Sequence, residues 1–213
     1  YGIAPKKVTT IYNAASPQHA NYQPKLKKGV KEKLVTFLGR VTYQKGPGYF
    51  LDAANLLRHH TGLRFVMAGD GDLLHSMIQK AAGLGLSGRF HFTGFLHDES
   101  VDELLRMSDA FVMPSVSEPF GIAPLEALTS GVPVIVSRQS GVAEVLDYVL
   151  KVDFWDTAAL ADAIHAVLHY GSIGKFMKTH GKPQADALSW DKAALGVRRV
   201  YETVKKTTQT FAP

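Results

Sequence analysis

The segment from Ala110 to Gly131, AFVMPSVSEPFGIAPLEALTSG, admits few backbone solutions. Ala110 to Met113 is a short apolar run suited to a buried strand, and Pro114 and Ser115 break it. From Ile122 the pattern turns helical, with Ile122, Leu125, Ala127 and Leu128 at helical spacing, until Ser130 and Gly131 stop it. Pro124 fits the first helical turn, where its missing N–H removes no hydrogen bond. Between strand and helix lies a loop holding Glu118, Pro119, Phe120 and Gly121. A helix start facing a strand's carboxyl end presents unsatisfied N–H groups and a partial positive charge to a crevice, where a phosphate is stabilised. Glu118 and Glu126 flank that start with seven residues between them, placed to meet the hydroxyls of the same ligand. Two glutamates at this spacing also arise as a helix cap and a solvated face residue.

A matching unit lies upstream. Lys33 to Gly39 reads as a strand, followed by Arg40, a loop with Lys45 and Gly46, and a helix from Pro47 to His60. Arg40 and Lys45 therefore emerge at the carboxyl edge of their strand, the edge at which open parallel sheets bind ligands. A guanidinium and an ammonium converging there neutralise a diphosphate. The alternation continues with strands at Leu63 to Gly69, Arg89 to Thr93 and Val132 to Ser137. Helices are expected at Gly71 to Leu84, at Glu99 to Met107 with Asp98 as its cap, and at Gly141 to Leu146. Three more helices, Trp155 to Tyr170, Lys175 to Leu188 and Trp190 to Thr207, close the chain. Strands and helices alternating at this spacing define an α/β protein with a doubly wound parallel sheet and C-terminal helices. One more strand-like run, Val8 to Tyr12, precedes a lysine-rich connection over Gln23 to Lys33.

With these residues in place, the chain resembles a known family. Glu118, the Pro119-Phe120-Gly121 turn and Glu126 resemble the E-x7-E motif of retaining GT-B glycosyltransferases, family 4 or glycosyl transferases group 1, related to the glycogen and starch synthases. The run Gly39-Arg40-Val41-Thr42-Tyr43-Gln44-Lys45-Gly46 looks like that family's donor-phosphate loop. The passage from Ser137 to Leu146 resembles S-x-x-G-G-x-x-E-V-I, although only one of its two glycines, Gly141, is present. Tyr148 to Val152 replaces the family's Gly-x-Leu-Val strand, and Ala14 stands where the family has glycine. The likeness covers Val8 to Tyr201.

The resemblance implies a Rossmann-like GT-B C-terminal domain that binds a nucleotide-diphosphate sugar for retaining transfer of a hexose to an acceptor. Arg40 and Lys45, with Gly39 before them, would hold the diphosphate and stabilise the leaving group. Gly94, Phe95 and Leu96 would support the base. Phe120, Gly121, Ile122 and Ala123 would support phosphate and sugar, Glu126 the ribose hydroxyls, and Glu118 would face the donor sugar as a catalytic group beside the two cations. No cofactor and no metal are implied. Residues 1–22 read as linker and first strand, 23–190 as the nucleotide-sugar-binding domain and 190–213 as a C-terminal helix and tail. The sugar, lipid or polysaccharide acceptor would sit on an N-terminal domain absent from these residues, so the isolated domain is expected to be inactive. A nucleotide-sugar epimerase or phosphorylase of the same architecture and a non-catalytic nucleotide-binding module are the competing readings.

Composition narrows the rest. The 213 residues are 46% apolar, enough for an extensive core. Without cysteine there is no disulfide and no thiolate metal site, which fits a reducing cytoplasm. The net charge of +5 suits anionic ligands, but the lysines lack the aromatic series of a nucleic-acid binder. No run approaches the roughly 20 apolar residues of a membrane span. A cytoplasmic protein is expected, with the inner membrane face open to peripheral attachment through the full-length protein. Asp70-Gly71-Asp72 spells Asp-x-Asp, yet only three residues match, and they are taken as a turn. Gly83 to Gly88 matches G-x-G-x-x-G but follows a helix instead of a strand, so it reads as a helix stop. Histidines 59, 60, 75, 91 and 97 show no metal-like i,i+4 pair within one helix and read as surface or cap residues.

Overall fold

The computed structural model of the chain describes residues 2–15, 29 and 31–210, with side chains as far as Lys206. Six strands form one sheet: β1 (Lys33–Leu38), β2 (Leu63–Ala68), β3 (Phe90–Gly94), β4 (Ala110–Met113), β5 (Val134–Ser137) and β6 (Leu150–Val152). Every neighbouring pair is parallel, in the order β3-β2-β1-β4-β5-β6. The described residues also form seven α-helices: α1 (Pro47–Leu56), α2 (Leu74–Gly83), α3 (Asp98–Met107), α4 (Ala123–Thr129), α5 (Thr157–His169), α6 (Gly171–Asp186) and α7 (Trp190–Thr210).

The strands read as unbroken apolar runs because both faces of the sheet are covered. Their side chains alternate between the two faces, where they enter separate buried clusters, one of them formed by Leu34, Val66 and Ala68 with Leu104 of the chain after β3. In β4, Ala110 and Val112 join the core under α1 and α5, while Phe111 and Met113 join the core under α4. In β5, Ile135 faces the first core and Val134 and Val136 the second. The first core is centred on a ring cluster in which Phe50 of α1 lies 5.9 Å from Phe37, 5.9 Å from Phe65 and 5.5 Å from Phe90. Truncating one such ring to alanine costs about 3–5 kcal/mol. Helix α6 ties the layers together, with Met177 in the first core and Ala185 in the second.

Several expectations are corrected. Val8 to Tyr12 forms no strand; the nearest element is a 3-10 turn at Pro5–Lys7, after which Val8 is extended. Ile11 instead packs its side chain where α7 passes, 3.5 Å from the Cβ position of Gly196. Asp98 does not cap α3. It is the first helical residue, after His97, and acts there through its charge at the positive end of the helix. The expected short helix at Gly141 to Leu146 is a 3-10 turn, Gly141–Glu144. Where the family's Gly-x-Leu-Val strand is missing, Leu150–Val152 still forms a three-residue edge strand beside β5. Helix α1 ends at Leu56 and not at His60, and α6 begins at Gly171 and continues through Pro183. Gly83 to Gly88 does end α2, and Gly85 takes φ 71° in the turn. Most of the lysine-rich connection from Gln23 to Lys33 lies outside the described residues.

Candidate functional site

Between β1 and β4 the chain order reverses: β1 leads outward to β2 and β3, and β4 outward to β5 and β6. Such a switch point opens a crevice beyond the carboxyl ends of the two central strands. A cleft of about 1030 Å3 occupies it. One wall comes from the residues after β1, including Gly39, Arg40 and Lys45. The other comes from the residues after β4, from Glu118 to Ala123, and continues to Glu126.

The two loops are fastened to each other. The amides of Val116 and Ser117 donate to the carbonyl of Gln44 at 2.9 and 3.4 Å. Lys45 ends a 3-10 turn, Tyr43–Lys45, and Gly46 follows with φ 69°. A Cβ at Gly46 would lie 2.1 Å from the carbonyl oxygen of Pro114, so only glycine lets the loops approach this closely. The second loop is also held from behind. Gly141 donates its amide to the carbonyl of Glu118 at 2.9 Å, and Val142 to that of Phe120 at 2.7 Å.

Across the cleft Lys45 Nζ forms an ion pair with Glu118 Oε2, the side chains being 21% and 10% exposed. No carboxylate among the described residues pairs with Arg40. Glu118 is not a helix cap, because no side chain caps the start of α4 and the residue before the helix is Ile122. Glu126 is not a solvated face residue either. It is half-buried, and burial raises its carboxyl above the ordinary range, with the charge of Asp102 adding to the shift. In the first turn of α4 the amides of Leu125 and Glu126 donate to the Ile122 carbonyl at 2.8 and 3.2 Å and Pro124 has no N–H, which leaves the Ala123 amide as that turn's donor without a helical partner beside these groups.

Of the residues assigned from sequence, all but one line this cleft: Gly39, Arg40, Lys45, Phe95, Leu96, Glu118, Phe120, Gly121, Ile122, Ala123 and Glu126. Gly94 does not; with φ 68° it makes the turn that presents Phe95. Phe95 is 67% exposed, and its ring meets His97 edge-on at 4.8 Å. Sequence reading missed Asp102 and Arg106 of α3, Asn13, and Lys182, Asp186 and Ser189 around the joint between α6 and α7, which also line the cleft. Asp102 was open to detection, because Asp98, Val101 and Asp102 stand at helical spacing just after the Gly94-Phe95-Leu96 turn. The α6 residues carry no local mark and arrive by the packing of α6 on α4.

Asp70 takes a turn role, its carboxylate accepting from the Gly71 amide at 2.7 Å. Among the described residues no group of three or more His, Cys, Asp or Glu is placed to hold a metal. Within the same residues no helix is long and apolar enough to cross a membrane.

A parallel sheet with a cleft at its switch point, lined by cations after β1 and carboxylates after β4, defines a doubly wound α/β domain. Residues 18–181 match the family model described as glycosyl transferases group 1, and the chain belongs to that family. An uncharacterized glycosyltransferase of Methanocaldococcus jannaschii is 29% identical over 211 residues, covering 92% of this chain and 54% of that protein. The chain thus spans about half the length of the curated relative it matches. Among solved structures, the Anabaena protein HepE in complex with UDP-glucose superposes with a TM-score of 0.72 at 20% identity, over 82% of this chain and 49% of that one. The C-terminal domain of a glycosyl transferase group 1 family protein from Francisella tularensis superposes with a TM-score of 0.69 at 22% identity, over 83% of this chain and 95% of that domain. The fold is that of a GT-B C-terminal domain.

Proposed function

We propose that this chain is the donor-binding half of a retaining glycosyltransferase and that its cleft holds a nucleotide-diphosphate sugar. The observation behind this reading is the convergence of Arg40, Lys45, Glu118 and Glu126 on one cleft at the switch point of the sheet. Arg40 and Lys45 bind the diphosphate and balance the charge that builds on it as the sugar's anomeric carbon–oxygen bond breaks. The Ala123 amide at the start of α4 adds a donor, Glu126 accepts from the ribose hydroxyls, Glu118 faces the sugar, and the turn at Gly94, Phe95 and Leu96 supports the base. HepE, of the same fold, holds UDP-glucose, which supports a nucleotide sugar as the ligand.

With two cations on the diphosphate, no metal or other cofactor is required. The acceptor, a sugar, lipid or polysaccharide, is bound by a further domain of the protein of which this chain is the C-terminal half. The complete protein works in the cytoplasm and, for a lipid acceptor, at the inner membrane face.

Calorimetry with uridine, guanosine and adenosine diphosphate sugars tests donor binding on this chain. A transfer assay on the same preparation, scored for glycoside and for epimer, tests the reaction. The expected result is weak nucleotide binding without turnover, because half of the cleft is open to water and no acceptor is positioned. Absence of binding to every nucleotide sugar overturns the reading. Turnover by this chain alone would place the acceptor site within these residues.

A further inference from the structure

Lys45 and Glu118, assigned above to phosphate and sugar, are bonded to each other in the cleft. The backbones beneath them are fixed. Val116 and Ser117 donate to Gln44 beside Lys45, the close approach of Gly46 to Pro114 locks the lysine loop, and Gly141 and Val142 hold the carbonyls of Glu118 and Phe120. A diphosphate that takes Lys45 as its counter-ion competes for it with the carboxylate of Glu118. That carboxylate, 10% exposed, is then left beside the incoming anion with its cation taken. Such a state is unfavourable unless a neutral donor group satisfies the carboxylate.

Sugar hydroxyls are such donors, and a bare nucleoside diphosphate has none at that end. We propose that Glu118 is an anionic placeholder that discriminates the sugar-bearing donor from the bare nucleoside diphosphate. The donor compensates the displaced carboxylate through its hydroxyls. The diphosphate left after transfer does not, so Glu118 recovers Lys45 and the product is expelled. No bond is made or broken in this exchange; one ion pair is replaced by another. The inference rests on the donor-binding reading above and adds to Glu118 a role that recognition of the sugar alone does not require.

The test is calorimetry on the chain and on Glu118→Gln with inorganic pyrophosphate, UDP and UDP-glucose as probes. Glutamine keeps the size of the side chain and removes the charge. Pyrophosphate and UDP are expected to bind Glu118→Gln roughly ten-fold more tightly, equivalent to about 1.4 kcal/mol. The preference for UDP-glucose over UDP is expected to shrink. Pyrophosphate binding that is unchanged or weaker in the variant overturns the proposal, while leaving the phosphate assignment of Arg40 and Lys45 intact. If neither protein binds pyrophosphate, UDP or UDP-glucose, the donor-binding reading falls and the proposal with it; if both bind UDP-glucose but neither binds pyrophosphate or UDP, the proposal alone falls. Should Glu118→Gln fail to fold, Glu118→Asp, which keeps the charge but shortens its reach toward Lys45, is expected to bind pyrophosphate more tightly than the parent chain. Equal or weaker binding by that variant refutes the proposal.

Discussion

Gly141 donates its amide to the carbonyl of Glu118 at 2.9 Å and lies so close to the next residue that a Cβ at position 141 would stand 2.1 Å from the Pro119 carbonyl oxygen. The loop carrying Glu118 is thus set by a backbone contact from β5's far end as well as by its own strand. Of the two glycines in the resembled family's pattern at this place, the one present is the one this contact demands.

Gly141→Ala is therefore expected to push the Glu118-to-Phe120 backbone away. The obstructing atoms are main-chain atoms, which cannot swing aside as a side chain does. Overpacking of this kind costs about 1–3 kcal/mol. Thermal unfolding should show the loss, and diphosphate affinity should fall with it. A variant with unchanged melting temperature and unchanged affinity would show that the loop yields freely.

Arg40→Ala and Lys45→Ala are expected to weaken binding of a nucleoside diphosphate far more than binding of the nucleoside. A lost charge-assisted contact costs on the order of 1.5–3 kcal/mol. The two substitutions should also differ. A phosphate that binds Lys45 replaces that residue's ion pair with Glu118, whereas among the described residues no carboxylate pairs with Arg40. Lys45→Ala is thus the less damaging, and adding Glu118→Gln, which removes the negative charge beside the phosphate, should restore part of its loss. Calorimetry on the single and double variants measures the coupling; equal losses for diphosphate and nucleoside would remove both residues from the phosphate site.

Much of this arrangement is legible in the sequence because the central strands are covered on both faces. Val35, Phe37, Phe65, Met67, Phe111 and Ile135 are all essentially inaccessible, so their runs are continuous in apolar character. The same logic fails at the margins. Leu150–Val152 contributes only three residues, one of them Lys151, at a sheet edge where a short backbone pairing suffices. Val8 to Tyr12 has the composition of a strand, yet it is bound by side chains: Ile11 lies against α7, and Tyr12 rests 5.9 Å from Phe120. Arg40, Lys45, Glu118 and Glu126 could be assigned to one site because each follows a central strand or opens the helix after it. The pairing of Lys45 with Glu118 could not, since 73 residues separate them and nothing local couples the two loops.

The donor site is expected to work without a divalent ion. Asp70 uses its carboxylate on the Gly71 amide, and neither Asp70 nor Asp72 lines the cleft. Nucleotide-sugar affinity should be the same in EDTA and in manganese, and Asp70→Asn with Asp72→Asn should bind as the parent does. Affinity that collapses in EDTA and returns with manganese reverses the assignment.

Glu126 gives the sharpest dependence on pH. Burial, and then the charge of Asp102, raise its carboxyl above the ordinary range. In the ligand-free state the folded chain holds this proton more tightly than the unfolded chain. The stability contributed by the group is thus greatest in acid and falls as pH rises through the raised value. Glu126→Gln should accordingly raise the melting temperature at neutral pH. Ribose hydroxyls, donating to the ionised carboxylate, pull the other way. Below the raised value a proton must leave before they bind, so affinity for a ribonucleoside diphosphate should drop by up to roughly ten-fold per pH unit, starting above the ordinary carboxylate range. The 2′-deoxy analogue gives up one of the two donors and should depend less on pH. In Glu126→Gln both the pH dependence and the preference for ribose over 2′-deoxyribose should largely vanish. Calorimetric titrations of both ligands against parent and variant, from neutral pH into the acid range, decide the matter: parallel pH slopes and an unchanged ribose preference would show that Glu126 does not read the ribose.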